Sequence, residues 1–495
     1  VPQKAVIRIA LFYLISIGFI ALNLWVVVEK HMLYANVLPL VFVVILLAVF
    51  SFDKLVFLIA FLAPLSIPLR EYLPGIGFDM YIPTEPLLFG LLLLFILKVI
   101  QERQFDRKIL LHPVSLAVYL NLFWILITSV TSTMPLVSFK FLLMRIWFVV
   151  GLYLLTAKIF KDGKNMEKYV WLYVIPLMLV IFYSTYRHLG YGLWDKQAAH
   201  FVVSPFYRDH TSYGAATAIY IPFLVMFILS KSYSKNIRLL AAGALAAVTL
   251  GFLLSYSRAA WLSIIVAFGV WSIIKLRIRF KPLFITLITI IGLFLAFQSQ
   301  ILMKLEQNSE ESSANMMTHI SSMSNISSDA SNLERINRWS CAVRMFADKP
   351  VVGYGPGTYM FKYARYQLSK DRTIISTNSA DGGNAHSEYL GPMAESGVLG
   401  LATYLLIIIL VIYTAVNTYT RLTDYRLRSI VLAALVGLVT YYIHGFLNNF
   451  LDTDKISVPF WGFTAMIVAI DILSRKQEKD TEPKQLTESD ISDQS

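Results

Sequence analysis

The chain has 495 residues, of which 57% are hydrophobic and only 15% charged, with a mean hydropathy of +0.62. These proportions exclude an ordinary soluble globular protein and imply an all-α polytopic membrane protein. The formal charge of +12 is read as topology rather than as a nucleic-acid surface, because basic residues concentrate in the cytoplasmic loops of such chains. Cys341 is the only cysteine, which excludes an intrachain disulfide, a Cys-rich zinc site and an iron–sulfur cluster.

A hydrocarbon core about 30 Å thick takes roughly 17 to 25 apolar residues per helix. Fourteen stretches are candidates: 6–28, 34–50, 54–68, 85–100, 114–131, 140–160, 169–186, 212–230, 238–256, 259–276, 283–302, 397–418, 428–448 and 457–474. Lys4 and Arg8 precede the first, whose far end from Trp25 to Lys30 offers no small-residue cleavage site, so it is expected to stay as an anchored helix. With the N-terminus inside, every second connection is basic, as the positive-inside rule requires. These connections hold Arg103, Arg107 and Lys108; Lys161, Lys164 and Lys168; Lys231, Lys235 and Arg238; Lys275, Arg277, Arg279 and Lys281; and Arg421, Arg426 and Arg428. The outer connection 132–139 has no basic residue, and 449–456 has only Lys455. Both termini are therefore expected in the cytoplasm, and removing the short pair 34–50 and 54–68 together leaves every later orientation unchanged.

The expected organisation is eleven spans over 1–302, a large outer loop over 303–396, three spans over 397–474 and a polar, disordered cytoplasmic tail over 475–495 around Pro483. The first third of the loop is rich in Ser and Asn and is expected to be flexible. After it, Leu333, Ile336, Val343 and Phe346 fall at helical spacing, with Arg335 and Arg338 beside that stripe. No long internal repeat of the transporter kind is visible.

Several polar residues are placed on the outer side. Arg258, in SYSRAAW, sits at the outer end of a span; it either snorkels to lipid headgroups or holds an anionic partner. Arg338 in NRWSCAVRMF and His386 in GGNAHSEYL lie on the same side, so the three can converge on one site. Two guanidinium groups can hold a diphosphate through paired charge-assisted hydrogen bonds without a metal. An imidazole can take a proton from an acceptor hydroxyl, although a lone histidine is as readily a packing or surface residue. Arg208, Asp209 and His210, in SPFYRDHTSYG, form a polar group ahead of a span, with a helix cap by Asp209 as the alternative. Arg145, one to two turns into its span, faces either a cavity or a buried partner. His188, His200 and His210 match no metal-ligand spacing, so no metal and no cofactor is expected. Gly353, Gly355 and Gly357 in GYGPG lack the Lys-Ser/Thr ending of a phosphate loop and read as a tight turn.

SYSRAAW at a helix end, NRW followed by FADKPVVGYGPGTY, then AHSEYL and AESGVLGL leading into a helix resemble the O-antigen ligase and polymerase family over about residues 200 to 460. That resemblance implies a GT-C-like membrane glycosyltransferase. Such an enzyme transfers a glycan from undecaprenyl diphosphate to an acceptor such as the lipid A core, on the periplasmic side of the bacterial inner membrane. By motif position it implies Arg258 and Arg338 as the diphosphate-binding arginines and His386 as the base; Asp452, after HGFLNNFL, falls where the family often has a functional acid. Ser387 stands where Asn commonly follows the histidine. An independent reason agrees: outside the cytoplasm no nucleotide sugars are supplied, so a transferase there needs an activated bond preformed on a membrane-diffusing carrier, with inversion as the expected outcome. A polymerase of the same family, adding to a second lipid-linked glycan, is the nearest alternative. A lipid-linked glycan flippase is the competitor from another class, favoured by the number of spans and opposed by the one-sided distribution of motif residues.

Overall fold

A computed structural model describes residues 17–18, 52–71, 80–102, 105–277, 333–369, 372, 376 and 383–481. Two compact units divide the chain, Val1–Phe57 and Leu58–Ser495. Of the first, the described residues are Ile17, Gly18 and the opening turns of helix α1 (Phe52–Leu62); the rest of this account concerns the second. The expected spans 6–28, 34–50 and 283–302, and the first third of the large loop, lie outside the described residues.

Ten helices are long and apolar enough to cross a membrane among the described residues, and the chain is a multi-pass membrane protein. They are α2 (Thr84–Glu102), α3 (Pro113–Val130), α4 (Pro135–Phe148, continued by a wider turn over Val149–Leu155 to Ile159), α5 (Lys164–Leu189), α6 (His210–Leu229), α7 (Lys235–Leu254), α8 (Arg258–Lys275), α10 (Leu390–Arg421), α11 (Tyr425–His444) and α12 (Asp454–Thr481). Residues 333–348 form α9. Helices α11 and α12 are the centre, with 83% and 89% of their apolar windows buried, whereas α8 and α2, at 22% and 28%, face outward. α11 packs on α6 and α8, and α10 packs on α3 and α12. Gly437 permits the first crossing, since a β-carbon there would lie 2.7 Å from the Ile219 carbonyl of α6.

One expectation is corrected. The stretch 54–68 is not a span: α1 ends at Leu62, a turn over Ala63–Leu65 follows, and Ile67–Pro68 (β1) pairs antiparallel with Tyr81–Ile82 (β2), the one sheet among the described residues. Pro64 and Pro68 remove backbone donors a continued helix would need. The freed carbonyls of Ala63 and Ser66 instead accept the buried Lys455 ammonium, each at 2.6 Å. The stretch expected at helical spacing is the helix α9. Leu333, Ile336 and Val343 of its apolar stripe are 55%, 50% and 50% exposed and Phe346 is half-buried, while the buried face carries Glu334, Asn337, Arg338, Cys341 and Met345. Its polar members are bonded to one another and to Gln367 and Ser376.

The GYGPG segment is the expected turn, with φ of 65°, 110° and 75° at Gly353, Gly355 and Gly357, conformations that side chains with a β-carbon rarely adopt. It docks the loop onto the membrane helices: Gly355 N–H donates to Glu395 O at 2.8 Å and Thr133 N–H to Tyr354 O at 2.9 Å. α10 kinks there at Gly397 (φ 69°), and Val398 N–H reaches Pro350 O at 2.9 Å.

At the opposite end of the bundle Asp471, on α12, is fully buried. It accepts from Thr418 Oγ1 at 2.8 Å, Arg421 Nη2 at 2.6 Å and Arg475 Nε at 2.8 Å, and lies 3.2 Å from His112 Nε2. One carboxylate thus joins α10 and α12 to the start of α3. Removing it leaves the buried Thr418 hydroxyl and His112 ring without their partner, while the more exposed Arg421 and Arg475 can turn to water. Asp471→Ala is therefore expected to lower the thermal unfolding midpoint in detergent markedly, and Asp471→Asn by less because one acceptor oxygen survives; equal midpoints for wild type and Asp471→Ala would refute the clasp.

Candidate functional site

The segment between the loop and α10 carries His386, whose backbone has φ 47°. A non-glycine residue there is held against its preference. Three neighbours hold it. His386 N–H donates to Asn384 Oδ1 at 3.1 Å, its carbonyl accepts from Trp339 Nε1 at 3.3 Å, and two residues on Glu388 N–H donates to Gly445 O at 2.8 Å.

Charge surrounds the half-buried imidazole. Burial, then Arg335, then Arg338 lower its pKa to about 4, against the opposing effects of Asp209 and Glu334. Arg335 in turn is lowered by burial and by Arg258, with Asp209 acting the other way. Arg258, Arg335, Arg338, Asp209 and His386 therefore share one electrostatic neighbourhood at the loop end of the bundle. His200 belongs to the same corner: its ring lies 4.1 Å from that of His210, and burial lowers its pKa against the pull of Asp209.

The residues of this group are held differently. Arg258 is exposed at the first position of α8, behind the Ser257 cap, whose hydroxyl accepts from Ala260 N–H at 3.3 Å. Arg338 is only 6% exposed. Its Nε donates to Glu334 Oε1 at 2.6 Å, and its guanidinium carbon lies 4.0 Å from the centre of the Tyr363 ring. Gly383 approaches so closely that a β-carbon would overlap the guanidinium, while Nη1 is buried without a hydrogen-bond partner. Glu334 also accepts from Ser376 and Asn337, and Asn337 reaches Gln367 Oε1 at 3.0 Å. Burial pushes the Glu334 carboxyl up, and these bonds more than reverse it. Arg338 is thus the knot that ties α9 to segments 363–367, 376 and 383.

Asp209 does cap α6: its Oδ1 accepts Thr211 N–H at 2.8 Å and Ser212 N–H at 2.7 Å. Its charge still reaches His386, so cap and site member coincide. His210 donates from Nδ1 to Ser255 O at 2.6 Å. His188 goes elsewhere, to Asp195 O at 2.8 Å. Among the described residues no trio of His, Cys, Asp or Glu is placed to hold a metal ion.

Arg145 and Asp452 form a second group. Arg145 Nη1 donates to Leu451 O at 3.0 Å and its guanidinium lies over Phe141 at 5.0 Å. It lines a small cavity, about 50 Å³, with Glu388, Glu395, Tyr404 and Trp461, room for a few waters rather than a sugar. Burial raises the pKa of Glu388, Arg145 opposes that, and Asp452 adds to it. Glu388 Oε1 accepts from Tyr441 OH at 2.5 Å and from Phe450 and Leu451 N–H, both at 2.8 Å. This second group braces the His386 segment from below. Arg208 lies apart again, its guanidinium 5.5 Å from the Tyr81 ring, which Lys455 also approaches at 5.4 Å.

Sequence reasoning passed over Arg335, Glu388 and His444 as site residues. A signal existed for the first: Arg335 and Arg338 are three residues apart on one helix and so point to one side. His444 is 1% exposed, accepts from Asn448 Nδ2 at Nε2 over 3.1 Å, and leaves Nδ1 without a partner.

A family model described as O-antigen ligase matches residues 241–405. The matched stretch runs from within α7 to the first half of α10 and includes Arg258, Arg335, Arg338 and His386. No curated protein matches the chain. Over residues 241–405 the chain is therefore similar to the O-antigen ligase family that its motifs resemble.

Proposed function

We propose that this protein joins a glycan carried on undecaprenyl diphosphate to an acceptor hydroxyl, with the lipid A core as the acceptor, at the periplasmic face of the bacterial inner membrane. One observation carries the reading: an imidazole on a strained backbone lies in the field of Arg335 and Arg338, with Arg258 acting in turn on Arg335, at the end of the bundle where the matched family segment gathers its polar residues. The basic connections at the other end, with Arg421, Arg426 and Arg475, support an orientation in which that end is cytoplasmic.

In this mechanism Arg258 and Arg335 hold the diphosphate in bidentate hydrogen bonds, and Arg338 contributes its unspent Nη1 while anchoring the loop. His386 accepts the proton of the acceptor hydroxyl. The acceptor oxygen forms a bond to the anomeric carbon from the face opposite the diphosphate, the carbon–oxygen bond to the diphosphate breaks, and the lipid diphosphate departs with its electron pair stabilised by the arginines. Configuration inverts. The arginines supply the charge that a divalent metal supplies in other transferases, so the reaction is expected to proceed in chelator.

His386→Ala is expected to abolish transfer from a purified lipid-linked donor without reducing membrane abundance; undiminished activity would remove the base assignment. The pH dependence has a definite sign. The unprotonated imidazole is the active form, so activity falls as pH drops through its pKa. In the free enzyme that limb, read from kcat/KM, lies near pH 4. A bound diphosphate cancels the repulsion from Arg335 and Arg338, so the limb in kcat lies at higher pH. Coincident limbs would show that the anion does not sit beside His386.

Arg335→Lys and Arg338→Lys separate two roles. Both are expected to weaken donor binding, because an ammonium lacks the fork. Arg338→Lys should also lower the unfolding midpoint, since it loses the Glu334 and Tyr363 contacts. Normal donor affinity in both would exclude the arginines from the phosphate. Ligase and polymerase are distinguished by the lipid-linked intermediates of a deletion strain: long carrier-bound chains accumulate without a ligase, single units without a polymerase.

A further inference from the structure

Arg258 owes its direction to the turn ahead of it. Tyr256 there has φ 48°, a strained value. Within the α7–α8 connection the turn is closed by Ser255 N–H to Gly251 O at 3.0 Å, Ser255 Oγ to Phe252 O at 2.6 Å and Ser257 N–H to Ser255 Oγ at 3.3 Å. These bonds are all local and would move with the turn as a unit. From outside, α6 holds it in two ways. His210 Nδ1–H donates to the Ser255 carbonyl at 2.6 Å, and Gly214, one turn further along α6, lets the backbones close, since a β-carbon there would lie 2.9 Å from both Ser255 Oγ and Ser257 Cβ. The His210 ring is itself fixed edge-on against His200, with centroids 4.1 Å apart. Asp209 sets the ring's starting point by capping α6 through Thr211 and Ser212.

We propose that His210 is a positioning residue: by clamping the Ser255 carbonyl it fixes the strained turn and so aims Arg258 at the donor's diphosphate. The inference rests on the donor role of Arg258 proposed above. A hydrogen bond to a buried main-chain carbonyl is a modest interaction, but a displacement of about 1 Å at a group that binds the reacting phosphate can cost up to about a hundredfold. His210 thereby extends the machinery into α6, outside the matched segment 241–405. Its expected effect runs through KM for the donor more than through kcat, since His210 is given no part in the proton transfer.

The test is a set of four variants and one cycle, measured in the full-length protein with a purified lipid-diphosphate glycan as donor. His210→Ala should raise the donor KM about tenfold. His210→Asn, whose amide places an N–H where Nδ1–H was, should come within about threefold of wild type, whereas His210→Gln, with its amide one carbon further out, should behave like His210→Ala. The Asn and Gln pair keeps the test alive if the alanine variant does not fold. In an Arg258→Ala background His210→Ala should add nothing, because the residue it positions is gone. Multiplying effects in the double variant would overturn the inference and make His210 a substrate contact or a general fold element, and so would equal activity of the Asn and Gln variants. Full activity in Arg258→Ala alone would instead overturn the proposed donor site.

Discussion

The loop end depends on the ion pair between Arg338 and Glu334, which lets a guanidinium be buried close to the imidazole of His386. Charges removed from water must be paired or they cost several kcal/mol each. Glu334 is spent on Arg338, with Ser376 and Asn337 on its other oxygen. Asp209 gives one oxygen to the cap of α6. The pKa of His386 is lowered first by burial and then by Arg335 and Arg338, with Asp209 and Glu334 opposing. An anion bound beside the imidazole would offset the two arginines, and in that sense this corner supports the proposed phosphate site.

That arrangement needs a frame stiff enough to resist its own repulsion. The frame combines main-chain contacts between loop and membrane helices with a buried cluster that joins Cys341, Met345, Tyr354, Tyr359 and Tyr363 of the loop to Ala394 of α10. The glycine turn at 353–357 joins the connection between α3 and α4 to the kink of α10, and Glu388 draws the 450–451 backbone toward the segment that bears His386. Arg145, a candidate for substrate contact on sequence grounds, is spent here on Leu451 O. The water-sized cavity it lines is a by-product of bringing two carboxylates and a guanidinium together in a bundle, and its Trp461 N–H, buried without a protein partner, is what a trapped water would satisfy.

Hydropathy located all ten described spans to within a few residues at most ends, because a window of apolar residues long enough for a bilayer is a requirement on sequence alone. What the sequence left unread turns largely on distant partners. Pro64 and Pro68 give local notice that 54–68 cannot run on as a helix, but Lys455, which takes the carbonyls after α1, lies far along the chain. Gln367 and Ser376 likewise decide which face of α9 is buried. Arg335 shares a helix side with Arg338, yet its place beside Arg258 and His386 is set only by tertiary structure.

The distribution of buried charge among the described residues supports the proposed transferase over a transporter. A transporter that moves an ionic headgroup is expected to place ionisable groups near the bilayer midplane, on broken helices that can rock. Here Glu85, Asp454 and Lys455 occupy the first turns of α2 and α12, and Asp471 lies about 26 Å further along α12, near its opposite end. Arg145, about 15 Å into α4, is the deepest of the charged residues discussed, and its guanidinium reaches back to Leu451 at the loop end. The central helices α11 and α12 are instead largely buried, and α12 is pinned at both ends, by Lys455 to the turn after α1 and by Asp471 to α10. A bundle fastened in this way resists the rocking that alternating access requires, and it suits an enzyme whose substrates meet at one fixed surface.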